Sequence, residues 1–366
     1  MQHALCLVSL SERGVLNTSE TERIEVVMKR ETGHPPRRSQ FCVGGVSVQL
    51  SGDLEADVSL VPLLEPFRSE AGLSDIDLRV ERVSSLSAVS GRRLFDSGTT
   101  WELSQCDDEL QFDFTAAIFG DRPLKRLLID SGFCRGTLQM NEECLAGFPH
   151  TIEPLGYPLD ELLIMHRLTQ EKAIELHGCG IVRADGTGNL FVGHSGAGKS
   201  TTTGLWTSLE DVEVLSDDRI IVRRDEGSVA ETPRHAADAA GEQGVLRLRD
   251  SSASRSNRFA QDDKALTGMR MYGTPWHGEA MYASPGSAPL ARIFILEHGH
   301  GNVLTRLSPS QAVAELFARS FVPFHRHEYV DSALDFLQEL VSAVPCYHYA
   351  FEPTEAAVEK IQKFRD

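Results

Sequence analysis

Hydrophobic and polar positions alternate in short runs through the first half of the chain and regroup at helical spacing later. Phe41–Leu50 alternates loosely around Gly44-Gly45, and Ile76, Leu78, Val80 and Val83 alternate with Asp77, Arg79 and Glu81. A period of two is that of a half-buried strand. Arg93–Phe95, Trp101–Leu103 and Leu110–Phe114 read as further strands, with turn signals at Asp96-Ser97-Gly98 and Cys106-Asp107-Asp108. The pattern predicts a small, mostly antiparallel β-rich domain over residues 41–155. Residues 1–40 carry weak periodicity and end in His34-Pro35-Pro36-Arg37-Arg38-Ser39, so they are expected to be poorly ordered.

From 156 onward the periods are mixed. Pro158 followed by Leu159, Leu162, Leu163 and Leu168 predicts a helix over 157–172 that leads out of the β-rich domain. His166 on it reads as a packing or surface residue. Strands are expected at Ala173–Val182, Leu190–Val192, Val212–Leu215, Arg219–Arg224, Met269–Tyr272 and Ala291–Leu296, with a turn at Asp185-Gly186-Thr187-Gly188. Residues 234–266 are dominated by alanine, serine, arginine and aspartate and are expected to form a mobile excursion. The C-terminal tail is helical. Ser308-Pro309-Ser310-Gln311 is a capping box that opens a helix to about Phe321, and further elements follow at Asp331–Val341, Pro345–Phe351 and Thr354–Phe364. The fold class this predicts is α/β (α+β): a β-rich N-terminal domain, a mixed-sheet domain over 156–366, and a helical C-terminal tail.

The formal net charge of −17 argues against broad nucleic-acid binding, which requires a basic footprint. The seven cysteines are scattered and contain no C-x-x-C, which disfavours a disulfide framework or a structural zinc site and makes a reducing cytoplasm the expected location. No apolar run approaches the ~20 residues of a membrane span. His298 and His300, and His325 and His327, lack acidic or cysteine companions at a ligand spacing, so no dedicated transition-metal site is expected.

The most informative stretch is Gly193-His194-Ser195-Gly196-Ala197-Gly198-Lys199-Ser200-Thr201. It fits G-x-x-x-x-G-K-[ST], follows the apolar run Leu190-Phe191-Val192 and precedes a helix-compatible segment, which is the context the motif requires. The glycines let consecutive N–H groups turn inward at one anion, and the helix start adds unpaired N–H groups and the positive end of its dipole. Lys199 supplies a point charge for the outer phosphates, and the Ser200 hydroxyl is the expected Mg²⁺ ligand. The predicted ligands are ATP, or a similar polyphosphate, and Mg²⁺.

Such a loop needs a carboxylate partner. Asp217 and Asp218 end an apolar strand 18 and 19 residues after Lys199. One can hold Mg²⁺ through water while the other takes a proton from an attacking hydroxyl. Asp218, deeper in the turn, is the expected base, and Asp217 the expected metal contact. The spacing is shorter than in most P-loop ATPases and GTPases, and no N-K-x-D guanine signature is present. Ile293-Phe294-Ile295-Leu296-Glu297 is the other apolar strand that ends in an acid, and it keeps an ATPase reading open.

His177-Gly178, a strand–turn–strand, G-x-S-G-x-G-K-S and then Ser216-Asp217-Asp218 together resemble the catalytic domain of the HPr kinase/phosphorylase family, whose nucleotide-binding core is related to phosphoenolpyruvate carboxykinase. The likeness covers 173–300 and, more loosely, the tail. Gly273-Thr274-Pro275-Trp276-His277-Gly278-Glu279 and Arg292-Ile293-Phe294-Ile295-Leu296 resemble the peptide-modifying or uncharacterised members more than the sugar-regulating enzyme. The resemblance implies a P-loop kinase fold and transfer of the γ-phosphoryl group of ATP to a hydroxyl, usually a serine, of a peptide, protein or small molecule. It implies His177 beside the phosphates, Glu279 and His277 in an active-site turn, and Arg292 as a charge neutraliser. The family's lysine-containing, proline- and arginine-rich C-terminal loop has no counterpart, with Arg319 and His325-Arg326-His327 the only substitutes. A phosphate-releasing switch and a nucleotide sensor without an acceptor remain the alternatives, and homo-oligomers are left open.

Overall fold

A computed structural model describes residues 37–52, 62–70, 72–87, 91–120, 122–146, 153–225 and 267–365 of the 366. The expected disorder of residues 1–36 and the excursion at 234–266 lie outside the described residues.

The first sheet contains eight strands: β1 (Arg37–Val43), β2 (Val46–Gly52), β3 (Ile76–Val83), β4 (Arg92–Asp96), β5 (Trp101–Cys106), β6 (Glu109–Phe114), β7 (Lys125–Asp130) and β8 (Arg135–Asn141). Their order across the sheet is β1-β2-β3-β8-β7-β6-β5-β4. The alternation on either side of Gly44-Gly45 resolves into two strands joined as a hairpin, and β1 begins at Arg37, inside the stretch expected to be poorly ordered. The sheet is antiparallel except at its centre, where β3 runs parallel to both β2 and β8. β7 escaped the sequence reading because Leu127-Leu128-Ile129 is a continuous apolar run rather than an alternation, and β8 carries only Leu138 and Met140 as a short alternation.

A short helix α1 (Glu142–Leu145) and the longer α2 (Leu159–Leu168) follow. α2 is no mere connector. Leu159, Leu162, Leu163, Ile164 and Leu168 join Phe41, Val48, Leu78, Phe112 and Leu138 in one buried core, which also takes in Ala173, Ile221 and Trp276 from beyond the helix.

The second sheet is built around a closed ring. β9 (Ala173–Val182), β12 (Arg219–Arg224), β13 (Met269–Tyr272), β14 (Ser287–His298) and β10 (Gly188–Val192) pair in that order, and β10 closes onto β14 in parallel, giving a five-stranded barrel. β17 (Cys346–Phe351) and β15 (Val303–Arg306) extend it from β14, while β11 (Glu213–Ser216) and β16 (Ser320–Phe321) add to β9. α3 (Lys199–Thr207) and α6 (Glu355–Lys363) contribute Trp206, Ala357, Val358 and Ile361 to one core with Phe191, Phe294 and Leu296. α4 (Pro309–Phe317) and α5 (His327–Ala343) contribute Leu316, Phe336, Leu337 and Leu340 to another with Leu190, Ile293 and Ile295. Burial on both faces explains why Ile293–Leu296 is apolar without alternation. The Ser308–Gln311 capping box opens α4 as expected. The class is α+β with mixed sheets.

The junction of the two halves carries an aromatic cluster. His166 stacks on Phe133 with ring centroids 4.5 Å apart and lies near His325 and Tyr329 at 5.2 and 6.0 Å. Its Nδ1 is bonded to the Leu162 carbonyl at 2.7 Å, which makes Nδ1 the protonated nitrogen. Burial, reinforced by the His325 and Arg326 charges, pushes His166 down to about 3. A ring that must stay neutral in the fold favours folding fully above the unfolded value of 6.5, and that contribution is lost as pH falls from there towards about 3. Each such group steepens the acid side of the stability curve by about 1.4 kcal/mol per pH unit. His166→Phe should therefore flatten urea-unfolding free energy against pH between 6.5 and 4 by about that slope; an unchanged slope would show that His166 is not held neutral.

Candidate functional site

The site is assembled at the middle of β9. The His177 N–H donates to the Arg319 carbonyl at 2.8 Å, where the chain leaves α4 for β16. The His177 carbonyl accepts from the Gly193 N–H at 3.3 Å, at the start of the phosphate loop. The Gly178 N–H donates to the Asp218 carbonyl at 3.0 Å. Two residues thus tie together the phosphate loop, the aspartate turn and the end of α4. Close approach is a condition of this crossing. A Cβ on Gly178 would sit 2.8 Å from the Phe191 carbonyl oxygen, so nothing larger than glycine fits.

The loop has the form its sequence predicts. It leaves β10 at Gly193, and Gly196 and Gly198 take φ of 81° and 102° before α3 begins at Lys199. A Cβ on Gly198 would also meet the Phe351 ring at 2.9 Å. The buried Lys199 ammonium donates to the Gly193 and His194 carbonyls at 3.0 and 3.1 Å and pins the curl. Burial lowers its pKa, while the Asp218 charge works in the opposite direction. His194, Ser195, Gly196, Ser200 and Thr201 are exposed along the loop. The donor set suits a polyphosphate and a hard divalent cation. A Cβ on Gly196 would meet nothing within 4 Å, which leaves space over the loop, and the Ser200 hydroxyl is open to it.

The two aspartates separate in function. Asp217 is 2% exposed and turns away from the loop. Its Oδ1 accepts from the backbone N–H groups of Gly278 and Tyr282 at 3.0 and 3.2 Å, and its Oδ2 from that of Ala280 at 2.9 Å. It organises the 277–282 turn. Asp218 stays half-buried and faces the loop. Its Oδ1 meets His177 Nε2 at 3.0 Å and its Oδ2 meets the Arg219 guanidinium. Burial pushes its carboxyl up, but the His177 hydrogen bond and the Arg219, His177 and Lys199 charges outweigh this and hold it below the usual carboxylate range.

Arg219 is a hub that sequence reasoning missed. Its Nε lies 3.0 Å from Glu161 and 3.4 Å from Glu175, and its guanidinium stacks 3.9 Å from the centre of the Phe321 ring. Glu175 is fully buried, and burial followed by the Glu161 charge raises its pKa well above the usual range. The only sequence signal for this network is an arginine directly after the aspartate pair.

A cleft of about 340 Å³ opens beside the loop, lined by His194–Ala197, Ile295–His298, Glu315, Arg319 and His348. Glu297 is the last residue but one of β14, the parallel neighbour of the strand that feeds the loop. His348 contacts the Glu297 carboxylate, and His298 Nε2 meets the Gly196 carbonyl at 2.6 Å. Among the expected residues, His277 and Glu279 lie on the turn held by Asp217, with Glu279 exposed. Arg292 is not brought to the loop. It pairs with Asn189 near the start of β10, about 16 Å along β14 from Glu297, and its guanidinium lies over Phe364. The reason is direction: β14 points its C-terminal end at the loop, and Arg292 sits towards the other end.

Asp217→Ala would leave three backbone donors without their acceptor, and is expected to cost about 3–5 kcal/mol in urea unfolding, against about 1–2 kcal/mol for the half-exposed Asp218→Ala. Equal losses would deny Asp217 its organising role.

No protein-family model matches the chain and no curated protein matches it.

Proposed function

We propose that the protein is an ATP- and Mg²⁺-dependent kinase that transfers the γ-phosphoryl group to a hydroxyl, a serine of a peptide, protein or small molecule in the reading that the family resemblance favours. The observation that carries this is the Asp218–His177 pair, an ionised carboxylate set against the Lys199 end of a phosphate loop. The loop N–H groups and Lys199 hold the phosphates. Ser200 would offer an oxygen to a divalent cation, which would supply charge neutralisation when bound. With Asp217 occupied by the 277–282 turn, Asp218 is the residue that orients the acceptor hydroxyl and receives its proton, and His177 and Arg219 fix its two oxygens. A carboxylate held this low is a weak base. That suits phosphoryl transfer, where bond breaking runs ahead of bond making and orientation matters more than base strength.

A second reading has one observation of its own. Glu297 lies in the cleft at the end of the strand parallel to β10, where it can orient a water for nucleotide hydrolysis.

Transfer of label from [γ-³²P]ATP to free serine and to a panel of serine peptides separates the two. The kinase reading expects acceptor-dependent transfer that falls by about 10²–10⁴ in Asp218→Asn and survives in Glu297→Gln. Phosphate release without acceptor, lost in Glu297→Gln and unchanged in Asp218→Asn, would overturn it.

A further inference from the structure

We propose that Arg319 is the catalytic cation that bears on the transferring phosphoryl group, in the place that the sequence suggested for Arg292. This rests on the kinase reading and adds a residue to it. Arg319 lines the cleft together with loop residues 194–197 and the end of β14. Its side chain is only 9% exposed, and its charge is felt at Lys199. Its Nη1 is clamped from one side, donating to the carbonyl of Glu315 at 2.8 Å and to the Glu315 carboxylate. Its Nε is buried and has no hydrogen-bond partner among the described residues. Its carbonyl accepts from the His177 N–H, so the residue is fixed to the same two-residue crossing as the phosphate loop and Asp218.

The physical case is one of charge. Arg319 lines a partly desolvated cleft beside the loop that the buried Lys199 closes, its charge opposes that of Lys199, and its Glu315 partner meets it only at Nη1. Bringing like charges together there costs free energy unless an anion comes between them. A triphosphate on the loop is such an anion. In the loose transition state the bond from phosphorus to the ADP oxygen breaks as the acceptor oxygen begins to bond, and the acceptor proton passes to Asp218. Charge accumulates on the ADP leaving oxygen and is shared by the three equatorial oxygens, and a planar guanidinium with free N–H donors is suited to receive it. The Glu315 clamp keeps the guanidinium in place before the charge develops.

Fluoroaluminate tests this without an acceptor, because with ADP and Mg²⁺ it forms a planar phosphoryl mimic. ADP affinity is measured by calorimetry with and without fluoroaluminate for the full chain, Arg319→Ala, Arg319→Lys and Glu315→Ala, each checked for an unchanged melting temperature. The wild type should bind ADP at least about 100-fold more tightly with fluoroaluminate. Arg319→Ala should keep less than a tenth of that gain while ADP alone weakens only a few-fold. Arg319→Lys should recover part of the gain, and Glu315→Ala, which leaves the guanidinium present but unclamped, should lose part of it and so serves if Arg319→Ala fails to fold. An undiminished gain in Arg319→Ala, or a loss of ADP affinity as large as the loss of gain, overturns the role of Arg319 alone. A wild type that binds ADP and shows no gain overturns the kinase reading itself.

Discussion

Two peptide units hold this site together. The backbone of His177-Gly178 bonds the phosphate loop through Gly193, the aspartate turn through Asp218 and the end of α4 through Arg319. Each partner comes from a different stretch of chain, and all three meet only because β9 is crossed on both edges, by β10 and β16 on one side and β11 and β12 on the other. Buried backbone groups without such partners cost free energy, so the crossing is a constraint as well as a contact. It explains why a glycine follows the histidine and why side chains distant in sequence share one cleft.

Electrostatics then sort the residues that the crossing gathers. The chain carries an excess of acid, yet the site interleaves its carboxylates with the cations Lys199, Arg219 and Arg319. Arg219 lies between Glu161, Glu175 and Asp218, and burial followed by the Glu161 charge raises the Glu175 pKa well above the usual range although Arg219 works against it. Asp218 is the member left ionised and half-open.

Much of this was legible in the sequence where short-range physics decides. The glycine loop, its feeding strand and the capping box at Ser308 each follow from local backbone demands, and each formed as expected. The aspartate pair was legible as a pair, but the division of labour was not. Which carboxylate faces the loop depends on three N–H groups in a turn more than 60 residues away. β7 was hidden because Leu127-Leu128-Ile129 is a continuous apolar run that shows no alternation. Arg219 was hidden for a different reason, and Arg319 was legible only as a substitute for a missing basic loop: an arginine gives no sign of its partner until the topology supplies one. Arg292 failed as a site residue because a strand's direction, which decides which end meets the loop, is not written in its composition.

The claim on which everything else depends is that the loop at 193–201 binds a nucleoside triphosphate with its metal. Isothermal titration of the full chain with a non-hydrolysable ATP analogue, with and without Mg²⁺, tests it directly. Saturable, Mg²⁺-dependent binding at micromolar concentrations, weakened at least about tenfold by Lys199→Ala in a protein of unchanged melting temperature, is the result expected from a buried cation at the loop. No saturable binding at millimolar analogue, or equal binding by Lys199→Ala, would contradict it.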